Sequence, residues 1–332
     1  MKKSILALAL FGAFSGVAMA QSSVTIYGIV DAGVAYKDAG AGKVTSLDSG
    51  LNSTSRLGFK GTEALGGGLK ANFNLEMGLK ADTGANDAAL FARGAWVGLS
   101  GDDFGQVNLG RHKSLTYIYG AAIDPFMDGL LGKTDLMFKI NNVRDNSVTY
   151  ISNSMSGFSV AGQYGFGEKA GNATANRVTS VAASYVNGPI NANIVWDETK
   201  DTNGNLAVGG EKLLAGVAYD FGGFKVHGMY EEIKGSVSLT NLAQTKEQLY
   251  VIGATMKEGN HTFMASYTDS KVKTSVNADS NRFALGYTYD LSKRTNLYTS
   301  LARVSNEKAV KTLADVNGAT ARLFNVGIRH KF

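Results

Sequence analysis

The side chains able to do catalytic chemistry are few and scattered along this chain. It has no cysteine, which excludes disulfides, thiol nucleophiles and Cys-ligated metal sites. None of the histidines lies in an H-E-x-x-H or H-x-E arrangement, and no Ser/His/Asp set can be argued from the sequence. The four histidines are His112, His227, His261 and His330. We therefore expect a protein that needs no cofactor or metal and is not an enzyme.

Two further motifs imitate functional sites without meeting their requirements. Glu231 and Glu232 are adjacent carboxylates, but neighbours on a strand point to opposite faces and cannot act as an acid–base pair. The glycine-rich run GAGKVT at 40–45 lacks the G-x-x-x-x-G-K-[ST] spacing of a phosphate loop. Basic residues alternate with acidic residues throughout, so nucleic-acid binding is not supported.

The N-terminal segment has the pattern of an export signal. Two lysines precede an apolar run at 5–14, and an A-x-A site follows at 18–20. This pattern predicts a signal peptide over residues 1–20, cleaved after Ala20, and a mature domain over 21–332. The apolar run is too short to span a bilayer as a helix, and no later stretch approaches the roughly 18 apolar residues that a spanning helix needs.

Segments of alternating apolar and polar residues recur along the rest of the chain, as expected for strands with two unlike faces. We predict sixteen strands, at about 23–37, 52–63, 68–81, 89–101, 104–113, 144–153, 158–167, 176–187, 189–199, 211–221, 224–234, 246–257, 259–272, 279–290, 293–306 and 320–332. The segment 246–257 is mixed and could contain a bulge. Pro125 and Pro189, the only prolines, fall between strands, as a sheet without edges requires.

The connections between these segments are alternately short and long. An outer-membrane barrel has this asymmetry, with short periplasmic turns and long external loops, whereas a sandwich does not predict it. The longest connection, 114–143, is rich in apolar residues, so either it packs against a buried surface or it contains an element that the alternation does not reveal. In a barrel of this size that surface is the lumen.

The last strand shows which environment the two faces occupy. From Phe324 onward the even positions are Phe, Val, Ile, His and Phe, and the odd positions are Asn, Gly, Arg and Lys. A soluble sheet would bury the apolar face in a core, whereas a membrane barrel turns it to lipid and the polar face to water. We expect the lipid-facing arrangement, with Phe332 as the terminal aromatic residue.

Several stretches resemble Gram-negative general porins, and the resemblance spans the mature chain and is closest to the anion-selective branch. They are SVTIYGIVD at 23–31, SRLGFKGTE at 55–63 with GGGL at 66–69, FGQVNLGR at 104–111, YTYDLSKR at 287–294 and GIRHKF at 327–332. The resemblance implies an all-β, 16-stranded antiparallel transmembrane barrel that assembles as a homotrimer. It also implies a third external loop folded into the lumen, here 114–143.

The resemblance further implies a cluster of arginines on the wall that faces this loop, at Arg56, Arg93 and Arg144. Alternation supports Arg56, because it places Arg56 and Lys60 on the inward face of their strand. Alternation opposes Arg93 and Arg144, which share the parity of outward-facing residues, unless a bulge or the incoming loop reorients them. The alternative for each is a rim arginine that reaches lipid headgroups.

Further charged residues complete the expected pore. By parity Arg282, Arg329 and Lys331 face inward and line the pore or its periplasmic mouth, or else form salt bridges with acids such as Glu76 and Asp290. The resemblance implies that acids of the loop oppose the basic wall. These acids are Asp124, Asp128 and Asp135.

Together these features predict an outer-membrane porin of a Gram-negative bacterium, a passive channel for small hydrophilic solutes with a moderate preference for anions. The expected partners are two further copies of the chain, outer-membrane lipid and lipopolysaccharide, and the barrel assembly machinery, which would recognise Phe332. An adhesin or surface-binding barrel, and a barrel hydrolase, are the alternatives.

Overall fold

The structure is a computed structural model that describes residues 23–138, 140, 142–235, 246–273 and 277–332. The predicted signal peptide lies outside these residues. The strands are β1 Ser23–Asp38, β2 Lys43–Ser49, β3 Arg56–Gly66, β4 Leu69–Gly78, β5 Gly94–Gly101, β6 Gly105–Lys113, β7 Val143–Ile151, β8 Phe158–Gly165, β9 Val178–Asn187, β10 Ile190–Lys200, β11 Leu206–Asp220, β12 Phe224–Lys234, β13 Lys246–Glu258, β14 His261–Lys273, β15 Ser280–Asp290, β16 Thr295–Asn306 and β17 Ala321–Lys331.

These strands form one closed antiparallel sheet. The sheet closes where β1 pairs with β17, from Ile29 opposite Lys331 to Asp38 opposite Arg322. The second half of β1 pairs with β2 and its first half with β3, so β2 and β3 share one position in the wall. The barrel therefore has 16 strand positions formed by 17 strand segments, which confirms the predicted fold class.

The first external connection differs from its prediction. The loop predicted at 38–51 contains β2, and the strand predicted at 52–63 begins only at Arg56. Residues between β2 and β3 turn away from the ladder because buried Asp31 holds them: its carboxylate accepts the backbone N–H groups of Asn52 and Ser53, at 3.2 and 2.8 Å. No bulge interrupts the mixed segment 246–257, whose register with β12 is continuous.

The two faces of the wall differ as predicted. On β17 the outward residues Phe324, Val326 and Ile328 are 44–47% exposed, whereas the inward Asn325 is fully buried. Because an apolar band on the outside and polar groups inside are the pattern of a transmembrane barrel, this face is the one that meets lipid. No helix within the described part of the chain is long and apolar enough to cross a membrane.

The connection between β6 and β7 has secondary structure of its own. Helix α1 spans Leu115–Ala121, and the Ser114 hydroxyl caps it by accepting the N–H of Tyr117 at 3.0 Å. A short 3-10 turn follows at Thr134–Leu136. We call residues 114–138 the inner loop, because its apolar side chains pack against side chains on the inward face of the wall. One cluster joins Leu115, Tyr119 and Ile123 to Val195, Leu214 and Leu249, and a second joins Phe126 and Leu130 to Met264, Ala284 and Tyr298.

Candidate functional site

Wall side chains hold the inner loop by its main chain. The Asn193 amide on β10 donates to the Tyr119 carbonyl at 2.8 Å, and the Thr255 hydroxyl on β13 donates to the Pro125 carbonyl at 2.6 Å. The His227 ring on β12 donates from Nδ1 to the carbonyl of Ile123 at 2.7 Å. These contacts come from β10, β12 and β13, so they fix the course of the loop along this part of the wall.

Glycines in the wall make room for the loop's apolar side chains. A β-carbon at Gly286 would lie 2.7 Å from the Phe126 ring, and one at Gly216 would lie 3.1 Å from Ile123. Both distances are shorter than a normal van der Waals contact, so a larger residue would displace the loop or the wall. At Gly286 the close atoms belong only to the inner loop.

Arg282, expected to line the pore, is instead buried beneath the inner loop. Its guanidinium donates to the carbonyls of Gly132 and Lys133, at 2.7 and 2.9 Å, and is fully shielded from solvent. The inward direction inferred from parity is correct, but the loop covers the side chain. Arg282 therefore anchors the loop rather than facing solutes, and its expected alternative, an ion pair with Glu76 or Asp290, is also wrong.

Asp124 is likewise a brace inside the loop and not an acid of the pore. Its buried carboxylate accepts the backbone N–H groups of Phe126, Asp128 and Thr134, at 2.9, 3.2 and 3.0 Å. Burial raises the pKa of Asp124 to about 6, against the effect of these hydrogen bonds. The braced tip includes Met127, whose φ is 53°, and Asp128, whose φ is 58°, conformations that residues other than glycine adopt only when their surroundings enforce them.

A group of charged residues lies on the wall formed by β3, β4 and the start of β5. Glu76, largely buried on β4, accepts Arg93 Nε at 2.8 Å and the Tyr27 hydroxyl at 2.9 Å, and Arg56 Nη1 lies 3.9 Å away. Arg93 precedes β5, which begins at Gly94, so the strand's alternation does not set its direction. The structure thus brings Arg56, Arg93 and Glu76 together on the inner side.

Lys113, at the end of β6, and two residues of the inner loop complete this group. Asp128 of the inner loop accepts a short hydrogen bond from the Tyr117 hydroxyl, and Lys113 Nζ lies 4.7 Å from the centre of the Tyr117 ring. Asp128 and Arg56 are close enough to interact electrostatically, as are Asp128 and Lys113. Burial raises the pKa of Tyr117, and the neighbouring Asp128 raises it further, so this hydroxyl remains a hydrogen-bond donor.

Sequence reasoning missed Lys113 and Tyr117. Lys113 ends β6, beyond an irregularity where the register with β7 shifts between Gly110 and His112, so counting along the strand does not give its direction. Tyr117 lies on α1, an element that the alternation pattern did not predict. The signal that could have identified it is the N-cap Ser114 ahead of an apolar run.

Arg144 faces inward but lies apart from this group. Its guanidinium forms an ion pair with the fully buried Asp197 on β10, at 2.8 Å, and Asp197 also accepts a short hydrogen bond from Ser180. The same register shift places two residues of β7, Asp145 and Asn146, opposite Arg111 alone, so β7 has one extra residue, and Asn146 has a φ of 48°. This bulge reverses the direction that parity gives to Arg144.

The other expected residues are spread along the lumen. Lys60 is exposed with its Nζ 5.2 Å from the centre of the Tyr27 ring, and Arg329 donates to the Ser53 hydroxyl at 2.8 Å. Lys331 is exposed at the end of β17. Asp135 pairs with Lys133 at 3.2 Å, and burial raises its pKa against the effect of that lysine.

The C-terminal residue takes part in closing the barrel. Phe332 exchanges two backbone hydrogen bonds with Gly28 on β1, both of 3.1 Å, and its ring lies over that glycine. The ring is 47% exposed on the outward face. The C-terminal residue therefore completes the ladder between the two ends of the chain.

Known proteins are similar to this chain in fold and in sequence. A family model described as Gram-negative porin matches residues 6–309. The chain is 36% identical to outer membrane porin protein 32 of Delftia acidovorans and 32% identical to an outer membrane porin protein of Bordetella pertussis, each alignment covering all of both chains. Among solved structures it is similar to the anion-selective porin from Comamonas acidovorans, with a TM-score of 0.82 and 30% identity over 94% of this chain and 100% of that one.

These matches agree with the barrel, its apolar outer band and its polar lumen. They confirm the outer-membrane location and the channel function predicted from the sequence. The chain belongs to the Gram-negative porin family, and it is an outer-membrane channel for passive diffusion of small hydrophilic solutes rather than an enzyme.

Proposed function

We propose that this porin moderately favours small anions, and that the group of Arg56, Arg93, Lys113, Glu76 and Asp128 is its filter. The observation that carries the proposal is the charge of this group, in which three cations face two carboxylates. Glu76 is bound tightly to Arg93, so its charge is largely compensated. Arg56 and Lys113 then act on a passing ion with only Asp128 opposing them.

The inner loop sets the size limit in this proposal. Its main-chain attachments to the wall leave Asp128 and Tyr117 opposite Arg56, and a solute must pass between them. Fixed charges in water act over about one Debye length, roughly 10 Å at 0.1 M salt and 3 Å at 1 M. The preference for anions should therefore be marked in dilute salt and weak in concentrated salt.

Other parts of the proposal concern assembly and processing. Residues 1–20 act as a cleaved signal peptide, and residues 21–332 form the mature barrel. The mature chain forms a homotrimer whose remaining outer face contacts lipid and lipopolysaccharide. Phe332 is the residue recognised by the barrel assembly machinery. The exposed apolar outer face and the aromatic C-terminus support the proposals on lipid contact and assembly.

The reversal potential across a salt gradient tests the filter. We expect the wild-type channel in a planar bilayer to be anion-selective at 0.1 M KCl, and the substitution Arg56→Ala to reduce that selectivity. A matched control is Arg303→Ala, because Arg303 is exposed on the outer face of β16. A cation-selective wild type, or an Arg56→Ala channel as selective as the wild type, would refute the filter and leave the barrel fold unaffected.

A further inference from the structure

A second group of cations lines the lumen at the end where the short turns lie. A cavity of about 670 Å³ opens there between residues 121–127 of the inner loop and the inner wall. Six cationic side chains border it: Lys225, Lys257, Lys293, Arg294, Arg329 and Lys331. None of these belongs to the filter group on β3 to β6. We call this space the turn-side vestibule.

The acids of the vestibule compensate only part of this charge. Lys225 pairs with Asp220 at 3.1 Å, and Lys257 lies 3.8 Å from Asp290. The third acid that borders the vestibule is Asp124 of the inner loop, and its carboxylate is buried and bonded to backbone N–H groups of that loop. Lys293, Arg294 and Lys331 have no ion pair within 4 Å among the residues that the structure describes. The vestibule therefore carries an excess of positive charge that an anion can neutralise.

The wall of the vestibule also has unused hydrogen-bonding capacity. Within the described chain, Asn52 Nδ2, Arg329 Nε and Asn296 Oδ1 are buried atoms without a hydrogen-bond partner. Two of these atoms are donors and one is an acceptor, and the hydroxyls of Thr262 and Thr288 border the same space. A ligand with both an anionic group and hydroxyl groups can use all of these features.

From this geometry we propose that the turn-side vestibule is a binding subsite for phosphorylated sugars. The phosphate group would lie among Arg294, Arg329 and Lys331, and the sugar hydroxyls would contact the amide and threonine groups. The volume suits one such molecule, since ligand pockets are commonly about 300–1,000 Å³. The inference rests on the proposed passive anion pathway, but the cations assigned to the phosphate lie on β17 and on the turn before β16, whereas those of the filter lie on β3 to β6.

Ion-current noise of the intact channel in a planar bilayer tests the subsite. Glucose 6-phosphate should bind transiently and interrupt the chloride current. Two control ligands separate the contributions of its parts. Glucose has the sugar hydroxyls without the phosphate, and inorganic phosphate has the negative charge without the sugar. We expect glucose to give no interruptions and inorganic phosphate to bind more weakly than glucose 6-phosphate. Equal binding of the two phosphates would refute the assignment to sugars.

Substitutions locate the subsite within the channel. The double substitution Arg294→Gln/Lys331→Gln should weaken glucose 6-phosphate binding at least about fivefold, because it removes two uncompensated charges next to the phosphate. The control Lys308→Gln/Lys311→Gln removes the same charge from an exposed connection on the opposite side, between β16 and β17, and should leave binding unchanged.

Arg56→Ala separates the two proposals. If the filter proposal alone fails, the reversal potential of this variant matches the wild type while glucose 6-phosphate still binds at the vestibule. If glucose 6-phosphate binding depends on Arg56 and not on Arg294 and Lys331, the vestibule subsite is refuted and the filter group is where the phosphate binds. Undiminished binding in both variants also refutes the subsite.

Discussion

Asp128→Asn tests whether a single acid of the inner loop opposes the basic wall. The family resemblance offered three loop acids as candidates for the constriction, whereas the structure leaves Asp128 as the one that faces Arg56, with Asp124 buried and bonded to backbone N–H groups of the loop. The net charge of the filter group is +1, from three cations and two carboxylates. Asp128→Asn raises it to +2. Asp124→Asn leaves it unchanged.

The size of the effect follows from Coulomb's law. At about 6 Å in water, one charge changes the energy of a passing ion by about 0.7 kcal/mol. Screening at 0.1 M salt, with a Debye length of about 10 Å, reduces this to about 0.4 kcal/mol. Removing the carboxylate lowers the energy of a passing anion and raises that of a passing cation by the same amount. The difference between the two ions therefore changes by about 0.8 kcal/mol, which is about fourfold in the permeability ratio. At 1 M salt the same calculation gives only about 1.4-fold.

Reversal potentials at both salt concentrations measure this change. We expect Asp128→Asn to raise the ratio of anion to cation permeability about fourfold in dilute salt and hardly at all in concentrated salt. Asp124→Asn should give the wild-type ratio at both. An equal rise in both variants would show that both carboxylates act on the ion path, and no rise in either would show that Asp128 does not face it.

Four further predictions concern stability, packing and assembly. Arg282→Gln should destabilise the barrel by about 2–4 kcal/mol in denaturant unfolding and make the open current noisier, because two loop carbonyls lose a charged donor. Gly286→Ala should lower single-channel conductance, since its β-carbon meets only side chains of the inner loop and pushes the loop from β15 toward Arg56. Deleting Phe332 should slow insertion and barrel assembly far more than it changes conductance, because it removes two closing hydrogen bonds and the terminal ring. The pKa of Asp124, about 6, lies above its unfolded value, so stability should increase as pH falls from 7 to 4, by at most about 3 kcal/mol. Asp124→Asn should abolish that increase.

Controls for these predictions come from the same chain. Gly228→Ala is matched to Gly286→Ala, because a β-carbon at Gly228 approaches nothing closer than 4.0 Å, and it should leave conductance unchanged. Lys308→Gln is the charge-matched control for Arg282→Gln and should not alter the current noise. Two outcomes would contradict the role given to Asp124. One is a wild-type stability that decreases as the pH is lowered from 7 to 4, and the other is an increase in Asp124→Asn as large as that in the wild type.

Sequence reasoning succeeded where the wall is regular. The period of two placed Arg56 and Lys60 inward and the even residues of β17 outward, because each regular strand transmits direction from one residue to the next. It failed at irregularities, which alternation cannot reveal. Arg144 lies beside a bulge and Arg93 lies ahead of its strand, so parity gave both the wrong direction. Here the family resemblance placed the residues inward, as the structure does.

The contacts of the inner loop could not be predicted from the sequence, for a different physical reason. Its apolar content showed that it packs against a buried surface, but the residues that it covers lie far away in the chain. Whether Arg282 meets solute or a loop carbonyl depends on contacts about 150 residues apart. The burial of Asp124 depends on a turn that is set by residues from 126 to 134. No local pattern contains this information.

The anchors of the inner loop explain why its pore-facing side chains can be changed independently. Wall donors at Asn193, His227, Thr255 and Arg282 all bond to carbonyls of the loop, and its Leu131 N–H donates to Ser300 on β16 at 3.3 Å. Each of these bonds uses a main-chain atom of the loop. The position of the loop is therefore insensitive to the identity of the side chains that point away from the wall. Asp128 can accordingly become Asn with its backbone in place, so a change in ion selectivity would report the lost charge and not a displaced loop.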